Sequence, residues 1–437
     1  MKIELKNSAP FLHVTDNSSE CDASSIFVLT DLNASYRQNA LDRGCTKVIS
    51  PQACLELLGI SDRIKIIGIT GTNGKTTTAA AMYSILLDLG KKAGLQGTRG
   101  CFINEIRIEE KSLTTPPILQ TIKNLKTAVD AGCEYFVMEV SSHAIVQNRI
   151  DGLAFALKIL TNVTQDHLDF HKTIDEYIAV KSRFFEDEGL KLINKDESNI
   201  RYNRTQAFSY GIEHPATYKI LAYALKDGIS AAVAKNNSVY EFESPLHGFF
   251  NLYNLLAAIS AVDCLGIASM EAICEAVENF GGVEGRMEVV SREPLVIVDF
   301  AHTPDGMEKV MESMKDQNLV VVFGAGGDRD RTKRPKMGAV AERYAQKIIV
   351  TSDNPRSEEP QSIIDEILTG MHGARPIYVE ADRACAIEKA LRLQGPNEVL
   401  LILGKGDETY QEIAGKKYPF DDREIVKTLI AELPKQK

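Results

Sequence analysis

The sequence predicts an α/β protein of three domains. These are a small N-terminal α/β unit in residues 1–62, a central doubly wound domain in residues 63–283 and a C-terminal Rossmann-like domain in residues 284–437. The length is one reason, because chains of 437 residues commonly form two or three domains. The other is the alternation of short apolar runs with helical patterns after residue 63 and again after residue 284, which is typical of mainly parallel sheets covered by helices.

The N-terminal segment contains two strand-like runs, at residues 24–32 and 46–50, with a helical piece between them. So short a segment cannot bury a large core by itself. We therefore expect it to pack against the domain that follows.

The strongest single signal is the stretch IKIIGITGTNGKTTT at residues 64–78. It predicts a buried strand, a glycine turn and a helix that ends near Gly90. Such a turn presents backbone N–H groups and the positive end of the helix dipole to an anion. The usual phosphate-binding pattern has glycine where this chain has Ile69, and an ordinary glycine turn is the alternative. We predict a nucleotide-binding loop formed by Gly71, Thr72, Asn73, Gly74, Lys75, Thr76 and Thr77.

Polar residues follow the predicted strands of both larger domains at their carboxyl ends, where doubly wound sheets bind ligands. In the central domain, Glu139 ends one strand and Asn162 ends another. The corresponding C-terminal segments are 299–302, 324–331, 352–356 and 404–408. Two such domains predict a cleft with a nucleotide on one wall and a second substrate on the other.

The composition excludes several classes of function. A formal net charge of −10 argues against a general nucleic-acid or membrane-surface binder. Eight cysteines without a C-x-x-C pair argue against zinc and disulfide frameworks and fit the cytosol. There is no signal-peptide core and no apolar run long enough to span a membrane. We expect a cytoplasmic monomer that acts on small molecules and is not a membrane protein.

A series of motifs, in order, resembles the Mur ligase family over about residues 64–425. The motifs are GTNGKTTT (71–78), LTTP (113–116), EVSSHAIVQNRI (139–150), TNVTQDHLDFH (161–171), GFFNLYNLLAA (248–258), GRME (285–288), DFAHTPD (299–305), GDRDRTKRP (327–335), DNPRSE (353–358) and GKGDE (404–408). Within the family, the chain is most similar to the branch that extends the UDP-N-acetylmuramoyl dipeptide.

This resemblance implies a UDP-binding N-terminal domain, an ATP-binding central domain and an amino-acid-binding C-terminal domain. The implied activity is ATP-dependent addition of meso-2,6-diaminopimelate to UDP-N-acetylmuramoyl-L-alanyl-D-glutamate, in peptidoglycan precursor synthesis. ATP would phosphorylate the D-glutamyl γ-carboxylate, and the amine of the added amino acid would attack the acyl phosphate. Because a carboxylate repels a triphosphate, cations must gather at this point.

The resemblance also implies two Mg²⁺ ions. Thr76 and Glu139 match the ligands of the first ion, and His167 and Lys181 match the site of the second, with Lys181 carbamylated by CO₂. Carbamylation needs a neutral amine, so the pKa of Lys181 must be lowered. A solvated carboxylate at the end of a strand is the alternative for Glu139, and on spacing alone Lys181 would be interpreted as a solvated side chain. The predicted catalytic residues are Lys75, His167 and Lys181.

Other site residues carry over from the motifs. The further predicted ATP contacts are Asn251, Asn254, Arg286, Asp299, His302 and Lys333. A helix-surface role for the two asparagines and a linker salt bridge for Arg286 are the alternatives. The predicted contacts to the UDP-muramoyl dipeptide are Ser18, Thr114, Thr115, Ser141, Gln147 and Arg149, of which Ser18 rests on only a faint similarity.

The motif DNPR at residues 353–356 indicates which amino acid is added. Diaminopimelate has a second amino-acid head group, and its carboxylate would pair with the planar fork of Arg356 while its ammonium pairs with Asp353. Relatives that add lysine lack this arginine. Position 407 is aspartate, where many relatives have histidine. The predicted diaminopimelate pocket consists of Arg329, Asp353, Asn354, Arg356, Gly404 and Glu408.

Three alternatives stay open at this point. The first is the same ligation with L-lysine as the amino acid. The second is a related ligase such as folylpolyglutamate synthetase, which shares the nucleotide loop but is disfavoured by the DNPRSE motif. The third is a P-loop ATPase, a regulator or motor, that ligates nothing.

Overall fold

The α/β architecture predicted from the sequence is confirmed by a computed structural model that describes residues 1–5, 9–110, 113–226 and 228–432. The N-terminal unit has a four-stranded sheet in the order β1-β2-β3-β4, in which β1 is antiparallel to β2 and the other pairs are parallel. Its elements are β1 (Lys2–Glu4), β2 (His13–Thr15), β3 (Ser25–Val28), α1 (Arg37–Asp42), β4 (Lys47–Ile49) and α2 (Pro51–Leu57).

The central sheet has eleven strands, in the order β15-β14-β13-β12-β11-β10-β5-β9-β6-β7-β8. Its strands are β5 (Lys65–Thr70), β6 (Ala93–Gly97), β7 (Gly100–Ile103), β8 (Ile106–Glu109), β9 (Tyr135–Glu139), β10 (Phe155–Leu160), β11 (Lys191–Asn194), β12 (Ala207–Gly211), β13 (Tyr218–Ala224), β14 (Ile229–Lys235) and β15 (Ser238–Ser244). The helices are α3 (Lys75–Asp88), α4 (Ile118–Asp130), α5 (Ser142–Val146), α6 (Leu168–His171), α7 (Ile174–Arg183), α8 (Phe249–Cys264) and α9 (Met270–Glu278).

The middle of this sheet is parallel, from β6 to β13, whereas its two edges are antiparallel. The antiparallel edges arise from two-residue hairpins after β7 and β14. Asn104, Glu105 and Asn236 in these hairpins have positive φ angles, as such tight turns require. A two-residue link cannot cross over to a parallel position.

The C-terminal sheet has six strands in the order β16-β17-β21-β18-β19-β20, and its pairs are parallel except for β16 with β17. A separate hairpin, β22-β23, follows. The strands are β16 (Glu288–Arg292), β17 (Leu295–Asp299), β18 (Asn318–Phe323), β19 (Lys347–Val350), β20 (Ile377–Val379), β21 (Glu398–Leu403), β22 (Tyr410–Ile413) and β23 (Lys416–Pro419). The helices are α10 (Pro304–Glu312), α11 (Lys333–Tyr344), α12 (Pro360–Leu368), α13 (Arg383–Leu393) and α14 (Asp422–Glu432).

The N-terminal unit shares a hydrophobic core with the central domain, as its length led us to expect. Ile26 and Val28 of β3 and Cys54 of α2 belong to the same buried cluster as Phe136 and Met138 of β9. The functions assigned to the three segments remain predictions. Among the helices of the described residues, none is both long and apolar enough to cross a bilayer.

The central and C-terminal domains are in direct contact. Phe250 of α8 packs against the C-terminal core. Asp305, at the start of α10, accepts hydrogen bonds through its Oδ2 atom from the Asn73 amide at 2.7 Å and from the Thr164 hydroxyl at 2.8 Å. The loop after β5 therefore faces the N-terminal end of α10. The carboxyl ends of the strands of both sheets face the same space.

A buried ion pair fixes the carboxyl ends of two C-terminal strands. Arg383 donates to the two carboxylate oxygens of Asp422 at 2.8 and 2.7 Å, and both side chains are 0% exposed. The same guanidinium donates to the carbonyl oxygens of Leu403, the last residue of β21, and Ser352, just beyond β19. The pair thus positions the segments 353–356 and 404–408.

Replacing Arg383 by methionine should destabilise the C-terminal domain by about 3–5 kcal/mol, because it leaves the Asp422 carboxylate buried without a partner. Urea denaturation followed by circular dichroism measures this change. The control is Arg392→Met, which removes an exposed pair with Glu388 and should cost less than about 1 kcal/mol. Equal unfolding midpoints for the two variants would contradict the role given to Arg383.

Candidate active site

A cleft of about 550 Å³ lies between the central and C-terminal domains, at the carboxyl ends of their strands. Many of the residues predicted from the sequence line it together, although they are far apart in the chain. They are Thr114, Ser141, Arg149, His167, His302, Arg329, Lys333, Asp353, Asn354, Arg356, Gly404 and Glu408. The other predicted residues lie outside this lining.

The glycine loop 71–74 follows β5 and leads into α3. The backbone N–H groups of Thr72 and Asn73 donate to Asn162, at the end of the neighbouring strand, so the loop is held from one side. Gly74 has φ 83°, and a Cβ atom there would lie 2.3 Å from the amide oxygen of Asn254. Glycine is therefore required at this position for both conformation and space. The loop has the form of an anion cradle, with the N-terminus of α3 behind it.

Two lysines meet at this loop. The ammonium of Lys75 donates to the carbonyl oxygens of Gly71 and Thr72, each at 2.8 Å. Lys181 of α7 also donates to the Gly71 carbonyl oxygen at 2.8 Å. Burial lowers the pKa of Lys75, and burial together with the nearby charge of Lys75 lowers the pKa of Lys181 well below its usual value. A neutral amine at Lys181, which carbamylation requires, is consistent with this environment.

Glu139 lies beside the start of α3 and is 2% exposed. Its carboxylate accepts hydrogen bonds from the Thr76 hydroxyl at 3.0 Å, from the Thr98 backbone N–H at 2.9 Å and from the Thr98 hydroxyl at 3.1 Å. A hydroxyl and a carboxylate next to a phosphate-binding loop are the oxygen ligands that Mg²⁺ prefers, since this ion commonly takes one or two carboxylates and completes its shell with phosphate and water. The residues present therefore fit a magnesium ion.

His167 lies at the mouth of the cleft, next to Asp166. Burial lowers the pKa of His167 to about 4, although the Asp166 carboxylate acts in the opposite direction. The imidazole is therefore neutral near pH 7, the form that can bind a metal. Tyr177 is close to both His167 and Lys181: the centre of its ring lies 6.4 Å from the centre of the imidazole and 4.8 Å from the amine. Among the described residues, no group of three histidine, cysteine or acidic side chains forms a preassembled metal site.

The two predicted asparagines of α8 are buried behind the loop. Asn254 accepts a hydrogen bond from the Thr78 hydroxyl at 3.4 Å and donates to Asn251, which in turn donates to the His247 carbonyl oxygen. The helix-surface alternative is wrong, because Asn251 and Asn254 are 2% and 5% exposed. Their observed contacts support the glycine loop, and a contact with the nucleotide itself remains a prediction.

The C-terminal domain brings its own polar groups to the loop. Arg286 stacks on the ring of Phe300 at 4.1 Å, and its charge contributes to lowering the pKa of Lys75. Burial raises the pKa of Asp299, whose carboxylate accepts backbone hydrogen bonds from Met287 and Ala301. Burial and the charge of Lys333 lower the pKa of His302.

The residues predicted to bind the muramoyl dipeptide lie in different parts of the structure. Thr115 is 0% exposed, and its hydroxyl bridges the Glu139 carbonyl oxygen and the Ser141 backbone N–H. Arg149 lines the cleft and donates to the Thr115 carbonyl oxygen at 2.8 Å and to the side chain of Gln147. Ser18 lies in the N-terminal unit, buried in a short 3₁₀ helix. These dipeptide contacts remain predictions.

The predicted amino-acid pocket is assembled by buried cations. Arg334, which is 0% exposed, forms a two-bond pair with Glu358 at 2.7 and 2.9 Å and holds the pKa of that carboxyl at about 2. Arg356 has φ 52° and donates to the Gly327 carbonyl oxygen at 2.6 Å, so its strained backbone aims the guanidinium at the loop after β18. Asn354 donates to Glu408 at 2.8 Å.

Sequence reasoning missed four residues of the site. Asp305 joins the two domains, Tyr177 spans from the Thr72 hydroxyl to Lys181, Thr98 holds Glu139, and Lys405 lies buried under the amino-acid pocket. Asp305 and Lys405 are within motifs that the resemblance includes, which was the available signal. Nothing in the sequence distinguishes Tyr177 and Thr98 from core residues.

A Gly74→Ala substitution should weaken ATP binding by about tenfold or more, since the added methyl would displace the Asn254 amide and tilt the loop. Gly90→Ala is the matched control, because Gly90 also has positive φ but a Cβ atom there would meet nothing within 4 Å. Calorimetric titration with a non-hydrolysable ATP analogue measures the effect. The interpretation of the loop fails if the two variants bind the analogue equally well.

Sequence and structure comparisons show the family of this chain. Residues 69–262 match the Mur ligase middle domain and residues 285–406 match the Mur ligase, glutamate ligase domain. The chain is 54% identical to the UDP-N-acetylmuramoyl-L-alanyl-D-glutamate–2,6-diaminopimelate ligase of Wolinella succinogenes, over 96% of both chains.

Two solved structures illustrate the likeness in fold. A 2,6-diaminopimelate ligase of the same description superposes with a TM-score of 0.69 at 28% identity, covering 99% of each chain. The folylpolyglutamate synthase of Mycobacterium tuberculosis, solved with ADP, gives a TM-score of 0.67 at 18% identity and covers 81% of this chain and 91% of its own. The second likeness concerns the fold alone. With its two domain matches and its extensive identity to a ligase of known class, the chain belongs to the Mur ligase family.

Proposed function

We propose that this enzyme is the ATP-dependent ligase that joins meso-2,6-diaminopimelate to UDP-N-acetylmuramoyl-L-alanyl-D-glutamate. The relatives' printed names describe this reaction, and the family membership supports it. The observation that carries the proposal is the cleft itself, because Arg356 lines it together with Asp305, which accepts a hydrogen bond from Asn73 of the glycine loop. A ligase needs a nucleotide site and an amino-acid site at one place, whereas a P-loop regulator or motor needs no amino-acid site.

The first step transfers the γ-phosphoryl group of ATP to the D-glutamyl γ-carboxylate. Lys75 and the N-terminus of α3 would neutralise the phosphates as the carboxylate approaches. In the second step the amine attacks the acyl carbon, a tetrahedral intermediate forms, and it expels phosphate. The contacts of Asp305 with Asn73 and Thr164 join the C-terminal domain to the glycine loop, and closure of the two domains there would keep water from hydrolysing the acyl phosphate.

Thr76 and Glu139 would hold one Mg²⁺, and His167 with a carbamylated Lys181 would hold another. Each ion supplies Lewis-acid charge next to the phosphates. The finer points of this proposal are the number of ions and the modification of Lys181. They are supported by the buried Glu139 carboxylate, by the neutral His167 and by the lowered pKa of Lys181.

Carbamylation of Lys181 should be visible without any activity measurement. With ¹³C-labelled bicarbonate, the wild-type enzyme should give a carbamate carbon resonance in the NMR spectrum. Because the pKa of Lys181 is lowered, the neutral amine persists at pH values where an exposed lysine is charged. The resonance should therefore remain near neutral pH and fade as the pH falls through that lowered pKa.

The resonance should be absent in Lys181→Arg, which cannot form the carbamate. Lys158→Arg is the control, because Lys158 is another buried lysine of the same domain, paired with Asp187. A resonance that survives in Lys181→Arg, or that is lost in Lys158→Arg, would assign the signal to a different amine.

Arg356 and Asp353 would receive the distal head group of diaminopimelate. A guanidinium matches the distal carboxylate that lysine lacks, and Asp353 matches the distal ammonium. Both side chains line the cleft.

The protein would act as a monomer in the cytoplasm, where its nucleotide substrates are found. Its eight free cysteines fit such a reducing compartment.

Wild-type enzyme given ATP and the muramoyl dipeptide should release phosphate with diaminopimelate and far less with L-lysine, and the product should have the mass of the tripeptide nucleotide. Arg356→Ala should raise the KM for diaminopimelate by roughly thirtyfold or more, because truncating one partner of a desolvated charge pair costs ~2–5 kcal/mol. Arg392→Ala, at an exposed site, should change nothing. Equal rates with lysine and diaminopimelate in the wild type would overturn the assignment of the amino acid.

A further inference from the structure

Lys405 is the one lysine of the GKGDE segment, and it is 0% exposed. Its ammonium lies 3.1 Å from the Asn354 amide oxygen, 3.1 Å from Glu408 Oε2 and 3.9 Å from Asp353 Oδ1. The rings of Tyr410 and Phe420 flank it at 5.7 and 6.0 Å. A buried ammonium destabilises the fold unless polar partners surround it, so Lys405 depends on these particular contacts.

The three polar partners of Lys405 all line the cleft. The amide oxygen of Asn354 accepts hydrogen bonds from the Lys405 ammonium and from the Glu412 backbone N–H. The amide N–H group of Asn354 donates a hydrogen bond to Glu408. This pattern allows only one orientation of the Asn354 amide, because two donors face its oxygen and a carboxylate faces its nitrogen. Lys405 thus determines which atoms Asn354 and Glu408 have available for a ligand.

The charges of the pocket lead to the same conclusion. Asp353 is 5% exposed, and the Lys405 ammonium lies 3.9 Å from its carboxylate and 3.1 Å from that of Glu408. Two neighbouring carboxylates repel each other, and a cation close to both offsets this repulsion. Lys405 is that cation, while Arg383 supports both carboxylates from farther behind. Glu408 uses the same oxygen, Oε2, for Lys405 and for Asn354, and its Oε1 takes part in neither bond.

We propose that Lys405 is a positioning residue for the added amino acid: it holds the Asp353 and Glu408 carboxylates in place and orients the Asn354 amide, so that this wall of the pocket accepts the ammonium of a zwitterionic head group. Lys405 does not touch the amino acid; it acts through these three side chains. The inference rests on the proposed function, because it names what sets the affinity of that same site.

The test is Lys405→Met, which removes the charge and keeps most of the volume. Steady-state phosphate release should show the KM for diaminopimelate raised about tenfold or more, with the KM values for ATP and the muramoyl dipeptide within about twofold of wild type. Lys347→Met is the matched control. Lys347 also has a buried stem and pairs with Glu398 at 2.7 Å, but it lies at the opposite end of β19 and outside the cleft lining.

A double-mutant cycle separates positioning from simple loss of packing. If Lys405 acts through Glu408, then Lys405→Met should raise the KM for diaminopimelate much less in a Glu408→Gln background than in the wild type. Additive effects in this cycle, or equal KM changes for Lys405→Met and Lys347→Met, would overturn the inference. Thermal melting of each variant confirms that the compared proteins are folded.

The outcomes distinguish this inference from the proposed function. If wild-type enzyme fails to ligate diaminopimelate, the proposed function is wrong. If the wild type ligates it and Lys405→Met keeps an unchanged KM for it, only the role of Lys405 is wrong.

Discussion

The convergence of two lysines on the carbonyl oxygen of Gly71 is the constraint on which the rest of the site depends. Lys75 and Lys181 each lie 2.8 Å from that oxygen. Burial lowers the pKa of both amines, and the charge of Lys75 lowers the pKa of Lys181 further, so the Lys181 amine can be neutral. The positive charge at this place would attract phosphate strongly, because the protein itself does not neutralise that charge and an anion would.

Acidic groups surround this cationic centre without cancelling it. Glu139 is tied to Thr76 and Thr98, so its carboxylate stays beside the loop and does not pair with either lysine at hydrogen-bond distance. Asp166 acts on Lys75, Lys181 and His167 from the other side. A binding site for both a triphosphate and a cation needs this separation of charges, since a direct lysine–carboxylate pair would remove both functions.

The C-terminal half of the site depends on a second set of buried cations. Arg334, Arg383 and Lys405 are each at most 1% exposed, and each joins loops that follow different strands. Loops at strand ends are the parts of an α/β fold that are most free to move. Buried charge pairs hold them in one arrangement, so the predicted amino-acid pocket is shaped by side chains that lie outside the lining of the cleft.

The fold class could be predicted from the sequence, and the tertiary structure decided how the predicted site residues are brought together. The apolar runs of β5, β9 and β18 are continuous because both faces of these strands are buried, so they are recognisable in the chain. Short edge strands such as β7 and β8 have no such run and were not predicted, and the antiparallel edge that they form was missed with them. Motif residues such as Lys75 and Arg356 were identified because their chemistry is local to a short pattern. The roles of Asp305, Tyr177 and Lys405 were decided only by the tertiary structure. Examples are the hydrogen bond between Asn73 and Asp305 and the position of the Lys405 ammonium beside Asp353 and Glu408. Such contacts depend on distances between segments that are far apart in the chain, and the order of residues does not contain these distances.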